Sequence, residues 1–333
     1  MRIFVAGATG VIGRRIIPLL VAAGHQVTTV GRTPEKRAAL ERMGAASIQL
    51  DLFAADSVRQ AVAGNEVAIN LATSIPPPSW SFFPSAWREN DRIRRIVSAN
   101  LAEAVIAGGV KQFIQESFAV YPDGGDDWIE EHTPIQPVRY NRSLIDAEAS
   151  AARVTARGRT GVVLRFAMFY GADSAVTQEA IRYVRRGWAP VLGSPGAFMS
   201  SVSHDDTAAA VVASLNAGPG VYNIADDEPV RRREYVDALA SILGVTQPKM
   251  VPAFLALFLG SLGKMLARSI RVSNRKFRTE VGWTPKYPSI REGWRAAVDE
   301  LRGDFLVVDC HVERAVICYS LRLLVGLEVA DYT

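Results

Sequence analysis

Along the first half of the chain the spacing of apolar positions switches repeatedly between two periods. RIFVA (Arg2–Ala6) is a short apolar run of the kind found in a strand buried on both faces. IIPLLVAAG continues with helical spacing, and Gly24 supplies a stop signal. QVTTV (Gln26–Val30) alternates as a strand does, PEKRAALERMG is helical, and SIQL is strand-like. After another helical stretch, VAINLA (Val67–Ala72) returns to strand; a long helix over roughly 86–107 then leads to KQFIQES (Lys111–Ser117), a further strand. Strands alternating with helices predict an α/β fold, a doubly wound parallel sheet covered on both faces. The second half alternates less strictly: Arg231–Leu243 reads as a helix, Met250–Ala267 as a mixed apolar helical region, and Ser289–Leu301 as another helix.

The loop between the first strand and the first helix is GATGVIG, with glycines at 7, 10 and 13. Glycine allows the tight turn and lets backbone N–H groups approach a pyrophosphate at a helix N-terminus. Three glycines alone are a weak signal, but their place after a strand and before a helix supports dinucleotide binding through Gly7, Thr9, Gly10, Val11, Ile12 and Gly13. The end of the second strand bears on which dinucleotide. A carboxylate there would accept from the ribose hydroxyls of NAD, whereas this chain has VGRTPEK, with Gly31 and Arg32. Arg32 can pair with a 2′-phosphate, so NADP is expected, with NAD as the alternative.

Composition narrows the remaining classes. The 333 residues are 49% apolar and 22% charged, as in an ordinary globular protein, with a formal net charge of +4. Basic residues are scattered without a stripe of interleaved aromatics, so no nucleic-acid partner is expected. Cys310 and Cys318 give no disulfide framework, and His25, His132, His204 and His311 lack metal-ligand spacing, so no metal site is expected. The most membrane-like stretch, Met250–Gly263, is shorter than the ~20 residues that a spanning helix needs. A cytoplasmic protein without a leader or membrane partner is expected.

Several further segments, in this order, resemble the extended short-chain dehydrogenase/reductase superfamily, the NAD(P)-dependent epimerases and dehydratases, from Met1 to about Leu301. GATGVIG is similar to that branch's G-x-x-G-x-x-G, and ESFAVYP to its Ser-Ser-x-x-Val-Tyr-Gly segment. YNRSLIDAE resembles Tyr-Gly-x-Ser-Lys-x-x-Ala-Glu, RFAMFYG resembles Arg-Pro-x-x-x-Tyr-Gly-Pro, and SVSHDDTAAAVVASL resembles the Val-His-Val-Asp-Asp-Val-Ala helix start. The resemblance implies a Rossmann-type sheet with a smaller C-terminal lobe over the substrate: residues 1–170 for the cofactor, 171–303 for an interleaved lobe, and 304–333 as an extension. It implies that Asp51 and Leu52 contact adenine, that Leu71 and Ala72 run beside the cofactor, and that Ser117 and Tyr140 are the catalytic pair, with Tyr140 also at the cofactor. A small-molecule substrate and a possible homodimer through the helices near 86–107 and 140–157 follow from the same likeness.

One residue departs from the pattern. The family's lysine, four residues after the tyrosine, favours the phenolate and binds the nicotinamide ribose; here Leu144 stands in its place. A phenol of pKa ~10 is about one part in a thousand ionised at pH 7, so base catalysis without the lysine would cost roughly 4 kcal/mol, while a neutral phenol can still act as an acid. Glu116 reads either as an acid or as a strand-end carboxylate; Tyr121 and Tyr170 match family tyrosines that line or support the site and otherwise read as packing, His132 reads as solvated, and Asp205-Asp206 as a cap for the following helix. The aromatic, proline-rich segment Thr73–Trp87 either covers an apolar substrate or packs in the core. Two functions stay open: an NAD(P)-dependent epimerase/dehydratase-like oxidoreductase with an altered acid–base group, or a non-catalytic NADP(H)-binding sensor or interaction protein.

Overall fold

The computed structural model describes residues 1–77, 80, 83–189 and 191–305. The readings made for Phe82, for Cys310 and Cys318, and for the extension from 306 onward lie outside the described residues.

The alternating first half folds as the periodicity predicts. β1 (Arg2–Ala6), α1 (Gly13–Ala22), β2 (Gln26–Val30), α2 (Pro34–Arg42), β3 (Ala46–Ile48), α3 (Ala55–Val62) and β4 (Val67–Asn70) follow one another. After α4 (Arg88–Arg92) and α5 (Ser98–Ala107) come β5 (Gln112–Phe118), α6 (Leu144–Ala156) and β6 (Thr160–Phe166). The second half adds β7 (Met168–Tyr170), α7 (Ala175–Arg185), β8 (Phe198–Met199), β9 (Ser201–Ser203), α8 (His204–Ala213), β10 (Gly220–Ile224) and β11 (Val230–Arg231). It closes with α9 (Arg232–Leu243), α10 (Gly260–Leu266), α11 (Arg275–Val281) and α12 (Ile290–Phe305).

Among the described residues the main sheet has seven parallel strands in the order β10-β6-β5-β4-β1-β2-β3. The order reverses between β4 and β1, and in such sheets ligands bind beyond the C-terminal ends of the strands at that reversal. Both faces are covered. Along β1, Ile3 and Val5 enter one core with Ile16, Ile17 and Leu20, while Phe4 and Ala6 enter the other with Val58, Leu101 and Val105. Each fully buried side chain of this size contributes about 1.5–3 kcal/mol, which fixes the register of β1 in the sheet. A third core gathers Tyr170, Ile181, Tyr235, Leu239 and Trp294 from the second half of the chain. β10, from the second half, completes the edge of the main sheet beside β6.

Two local expectations are corrected, the unbroken helix over 86–107 and the cap of α8. The long helix over 86–107 is broken: a 3-10 turn (Pro84–Trp87) leads into α4, and a π-turn (Ile93–Val97) separates α4 from α5. The region 250–267 is the mixed apolar helical stretch expected, a 3-10 segment (Ala253–Leu259) followed by α10, which Gly260 opens at φ +60°. The cap of α8 is Ser203, whose hydroxyl oxygen accepts from the Asp206 N–H at 2.9 Å. Asp206 instead anchors a distant loop, accepting from Tyr287 N at 3.2 Å and from Lys286 N. Among the described residues no helix is long and apolar enough to cross a membrane, and no His/Cys/Asp/Glu group could hold a metal ion.

Candidate functional site

The loop after β1 is built to leave room for a ligand backbone. A Cβ on Gly7, whose φ is +85°, would lie 2.4 Å from the Leu71 carbonyl carbon; a Cβ on Gly13 would lie 2.2 Å from the Gly7 oxygen. Gly7 lets the loop pass against the backbone that follows β4, and Gly13 lets α1 start tightly against the loop itself. Thr9, Gly10 and Val11 form the exposed outer rim, while Ile12 is buried beneath it. No side chain caps the N-terminus of α1; Arg14 N and Arg15 N donate to the Gly10 and Ile12 carbonyls, both at 3.0 Å, so what the helix start offers an anionic pyrophosphate is its positive dipole end behind the glycine loop. The cradle fits a dinucleotide.

The neighbouring loops follow the C-terminal ends of β2, β3 and β4 in the same parallel sheet. Arg32 is exposed two residues beyond β2. Arg37 is folded against the Gln49 side chain at 3.2 Å, and Thr33 caps α2. The Asp51 carboxylate accepts from Phe53 N at 2.9 Å, and Asn100 holds the same turn by donating to the Leu52 and Phe53 carbonyls at 3.0 and 3.2 Å. Asn70 fixes the end of β4, donating to Gln115 at 2.9 Å and accepting from Ala72 N at 3.1 Å, which positions Leu71 and Ala72 against Gly7.

The catalytic-type residues are placed less simply. Tyr140 is half-buried on a 3-10 turn (Arg139–Asn141) ahead of α6, and its ring lies 6.4 Å from that of Trp87. Leu144, at the start of α6, is 0% exposed. Ser117, 1% exposed, donates to Glu148 Oε1 at 2.6 Å, and no hydrogen bond joins it to Tyr140. Glu148 is also gripped by Arg165, Nε to Oε1 at 2.9 Å and Nη2 to Oε2 at 2.8 Å. Arg165 in turn donates to the Tyr121 hydroxyl at 3.0 Å, which donates to Asn223 at 2.6 Å. Tyr121 is thus buried within a polar network, whereas Tyr170 packs 5.9 Å from the Trp294 ring. Glu116 is neither a lone acid nor an exposed strand end; it forms a buried pair with Arg94.

Sequence reasoning missed the roles of Glu148, Arg165 and Arg94. A charged residue inside the apolar strand TGVVLRF was a signal for Arg165, since a buried arginine needs a carboxylate partner. Arg94 gave none, because the π-turn resets the helical phase that would tell inside from outside. The aromatic segment is exposed at Ile75, Trp80 and Phe83, so these three do not belong to the core.

A charged cluster ties α1 to the loop before α7 and to the start of α8. Asp173 is shared by Arg14, by Arg15 at 2.8 Å and by His204 Nδ1 at 2.8 Å, while Arg15 Nε also reaches Asp205 at 2.9 Å. Burial, helped by the Arg15 and Arg14 charges, pushes His204 down to about 4. The neutral ring then carries its proton on Nδ1 and donates to Asp173. Between pH 6.5 and 4 the unfolded chain protonates this imidazole while the folded one resists, so stability falls as pH drops through that window, by up to about 3 kcal/mol from this group. Thermal melts from pH 7 to pH 4 should show a shallower acid-side loss for His204→Gln than for the unmutated protein. Parallel curves would remove His204 as the cause.

Comparison with known proteins places the chain among nicotinamide-cofactor binders. Residues 7–217 match a family described as NAD(P)H-binding. A relative, the 3-diazoavenalumate denitrifying reductase of a Streptomyces species, is 31% identical over 310 residues, covering 88% of this chain and 99% of that protein. Human epimerase family protein SDR39U1, solved with NADPH, has a similar structure at a TM-score of 0.76 and 21% identity, covering 90% of this chain and 100% of its own. The UDP-glucose 4-epimerase of Thermus thermophilus, solved with NAD, gives 0.72 at 23% identity over 91% of this chain and 99% of its own. The two solved structures establish the fold.

Proposed function

The chain belongs to the NAD(P)H-binding family within the extended short-chain dehydrogenase/reductases, and from that premise we propose that it is an NADPH-dependent reductase of an apolar, aromatic-type substrate. The observation that carries this reading is the fully buried Leu144 at the lysine position, beside a half-buried Tyr140 whose ring lies against Trp87. Gly7 to Gly13 would cradle the cofactor's pyrophosphate, with Leu71 and Ala72 alongside. The cofactor, when bound, supplies a hydride. Leu144 adds no charge to favour a phenolate, so Tyr140 serves as a neutral acid that gives its proton to the reduced substrate oxygen. That role suits reduction and not oxidation, which would need a base. Ser117 points its own proton at Glu148, so toward a ligand it offers only a lone pair. Substrates that accept hydride without strong carbonyl polarisation fit best: quinones, activated ketones, or a diazo group of the kind that the Streptomyces relative's name records. Trp80 and Phe83, exposed and 5.8 Å apart, supply apolar surface on the segment that leads to Trp87.

The deciding experiment follows NADPH oxidation at 340 nm (the usual wavelength, about where reduced nicotinamide absorbs) with ketones, quinones and an arene diazonium salt. Turnover lost in Tyr140→Phe supports the reductase. NADPH binding without any turnover would favour a sensor or interaction protein.

Arg32 carries the cofactor preference. With no carboxylate at the end of β2, its guanidinium is available to a 2′-phosphate, and such a charge-assisted contact contributes about 1.5–3 kcal/mol. Arg32→Glu should therefore weaken NADPH binding about tenfold or more while changing NADH binding little. Calorimetry that finds NADH bound more tightly by the unmutated protein would reverse the assignment to NAD.

A further inference from the structure

Replacing the lysine by Leu144 removes a cation from the family's site, yet another cation is buried close by. Arg94 lies in the π-turn between α4 and α5 and is only 4% exposed, while its neighbours Arg92 and Arg95 face solvent. The π-turn packs against α6: Arg95 Nε meets Asp146 Oδ2, in the first turn of α6, at 3.1 Å. At the other end of the same helical stretch, the Trp87 ring lies tilted against that of Tyr140, 6.4 Å between centroids. Arg94 therefore belongs to the element that runs from the Tyr140 side of the cleft to the flank of α6.

Its partner fixes it at the mouth of the sheet. Arg94 Nε and Nη2 donate to Glu116 Oε1 and Oε2 at 3.0 and 3.3 Å, and Glu116 immediately precedes Ser117 near the C-terminal end of β5. Two of the three guanidinium nitrogens are thereby used. The third, Nη1, makes no hydrogen bond to any described residue. A buried ion pair is costly to desolvate and is seldom more stabilising than apolar packing, and a π-turn is a rare interruption that recurs at functional sites. Both features gain a reason if the remaining donors meet a ligand.

We infer that Arg94 is the cation of this site: Glu116 holds it in place, and its Nη1 donors bind an oxygen of the cofactor's ribose or of the substrate. It takes over the ligand-binding part of the lysine's work, leaving proton transfer to Tyr140. The inference rests on the reductase reading, but its cofactor arm can be tested without turnover.

The test is the double variant Arg94→Gln/Glu116→Gln, which removes both charges together and leaves no unpaired buried ion. NADPH affinity is measured by calorimetry, kcat and KM with menadione, and melting temperature alongside. The double variant is expected to melt within a few degrees of the unmutated protein. A ribose contact predicts about a tenfold loss of NADPH affinity; a substrate contact predicts about a tenfold loss of kcat/KM with NADPH affinity unchanged. Arg94→Lys keeps a charge and should retain most of whichever quantity falls. Normal melting with NADPH affinity and kcat/KM both within about threefold of the unmutated values would overturn the inference. If the double variant does not fold, Arg94→Lys decides: a folded Arg94→Lys protein that keeps the charge yet loses about tenfold in both quantities overturns the inference. Absence of turnover in the unmutated protein would sink the reductase reading; an unchanged NADPH affinity in the double variant would then sink this inference as well.

Discussion

Gly7→Ala should abolish useful cofactor binding, with NADPH affinity falling about a hundredfold or more. Two independent penalties act at this position. Its φ of +85° is a left-handed conformation, which costs a residue with a Cβ roughly 1–2 kcal/mol. The added carbon would also sit 2.4 Å from the Leu71 carbonyl carbon and 2.6 Å from Ala72 N. Those are backbone atoms, and the Asn70 hydrogen bond to Ala72 N at 3.1 Å holds them, so the loop must move and carry α1's N-terminus with it. A hundredfold loss corresponds to about 2.7 kcal/mol, no more than the strain and the lost phosphate contacts together. Gly10 is the internal control: a Cβ there meets only the Gly7 oxygen at 3.2 Å, so Gly10→Ala should cost less. Calorimetry with NADPH on both variants, with melting curves to confirm folding, checks this. A Gly7→Ala protein that binds NADPH within about threefold of the unmutated one would show that the cradle lies elsewhere.

The same loop shows why so much of the fold was legible. RIFVA, three spaced glycines and an apolar helical run each carry a local signal, and they agree on one answer: a strand, a ligand loop and a helix. The alternation then gives a parallel sheet covered on both faces, though not the order of its strands. The interior of the site was less legible because its parts come from distant segments. Nothing in YNRSLIDAE says that Glu148 will accept the Ser117 proton while gripping Arg165, since those partners lie 31 and 17 positions away. The pairing of Arg94 with Glu116 depends on a π-turn, a change of helical phase with no signature in IRRIV. Asp205 and Asp206 looked like caps because acidic residues favour a helix start. Ser203 took that role, and the two carboxylates were drawn to Arg15 and to the 286–287 backbone. Leu144 was the reverse case: its identity was plain, and only its complete burial showed that it fills space rather than lining an open pocket.

That burial sets both sides of the expected result for Leu144→Lys. An ammonium at a position that is 0% exposed must be desolvated or must push its way to the cleft, at a cost of several kcal/mol. The position also begins α6, where the helix dipole disfavours a cation by about 0.3–1 kcal/mol. The variant should therefore melt well below the unmutated protein. Against this stands the gain: about one helical turn from Tyr140, the ammonium restores a positive charge that favours the phenolate and a donor for the nicotinamide ribose. NADPH should stabilise the variant more than it stabilises the unmutated protein, and carbonyl reduction should rise, only to be lost on adding Tyr140→Phe. Melting curves with and without NADPH, and turnover with the carbonyl panel, read both sides. A folded Leu144→Lys protein with neither tighter binding nor faster reduction would mean that the pocket no longer keeps the family's geometry around Tyr140. Trp87 would then be the reason for the tyrosine, a packing partner and not a reacting substrate, and the sensor reading would take precedence over the reductase.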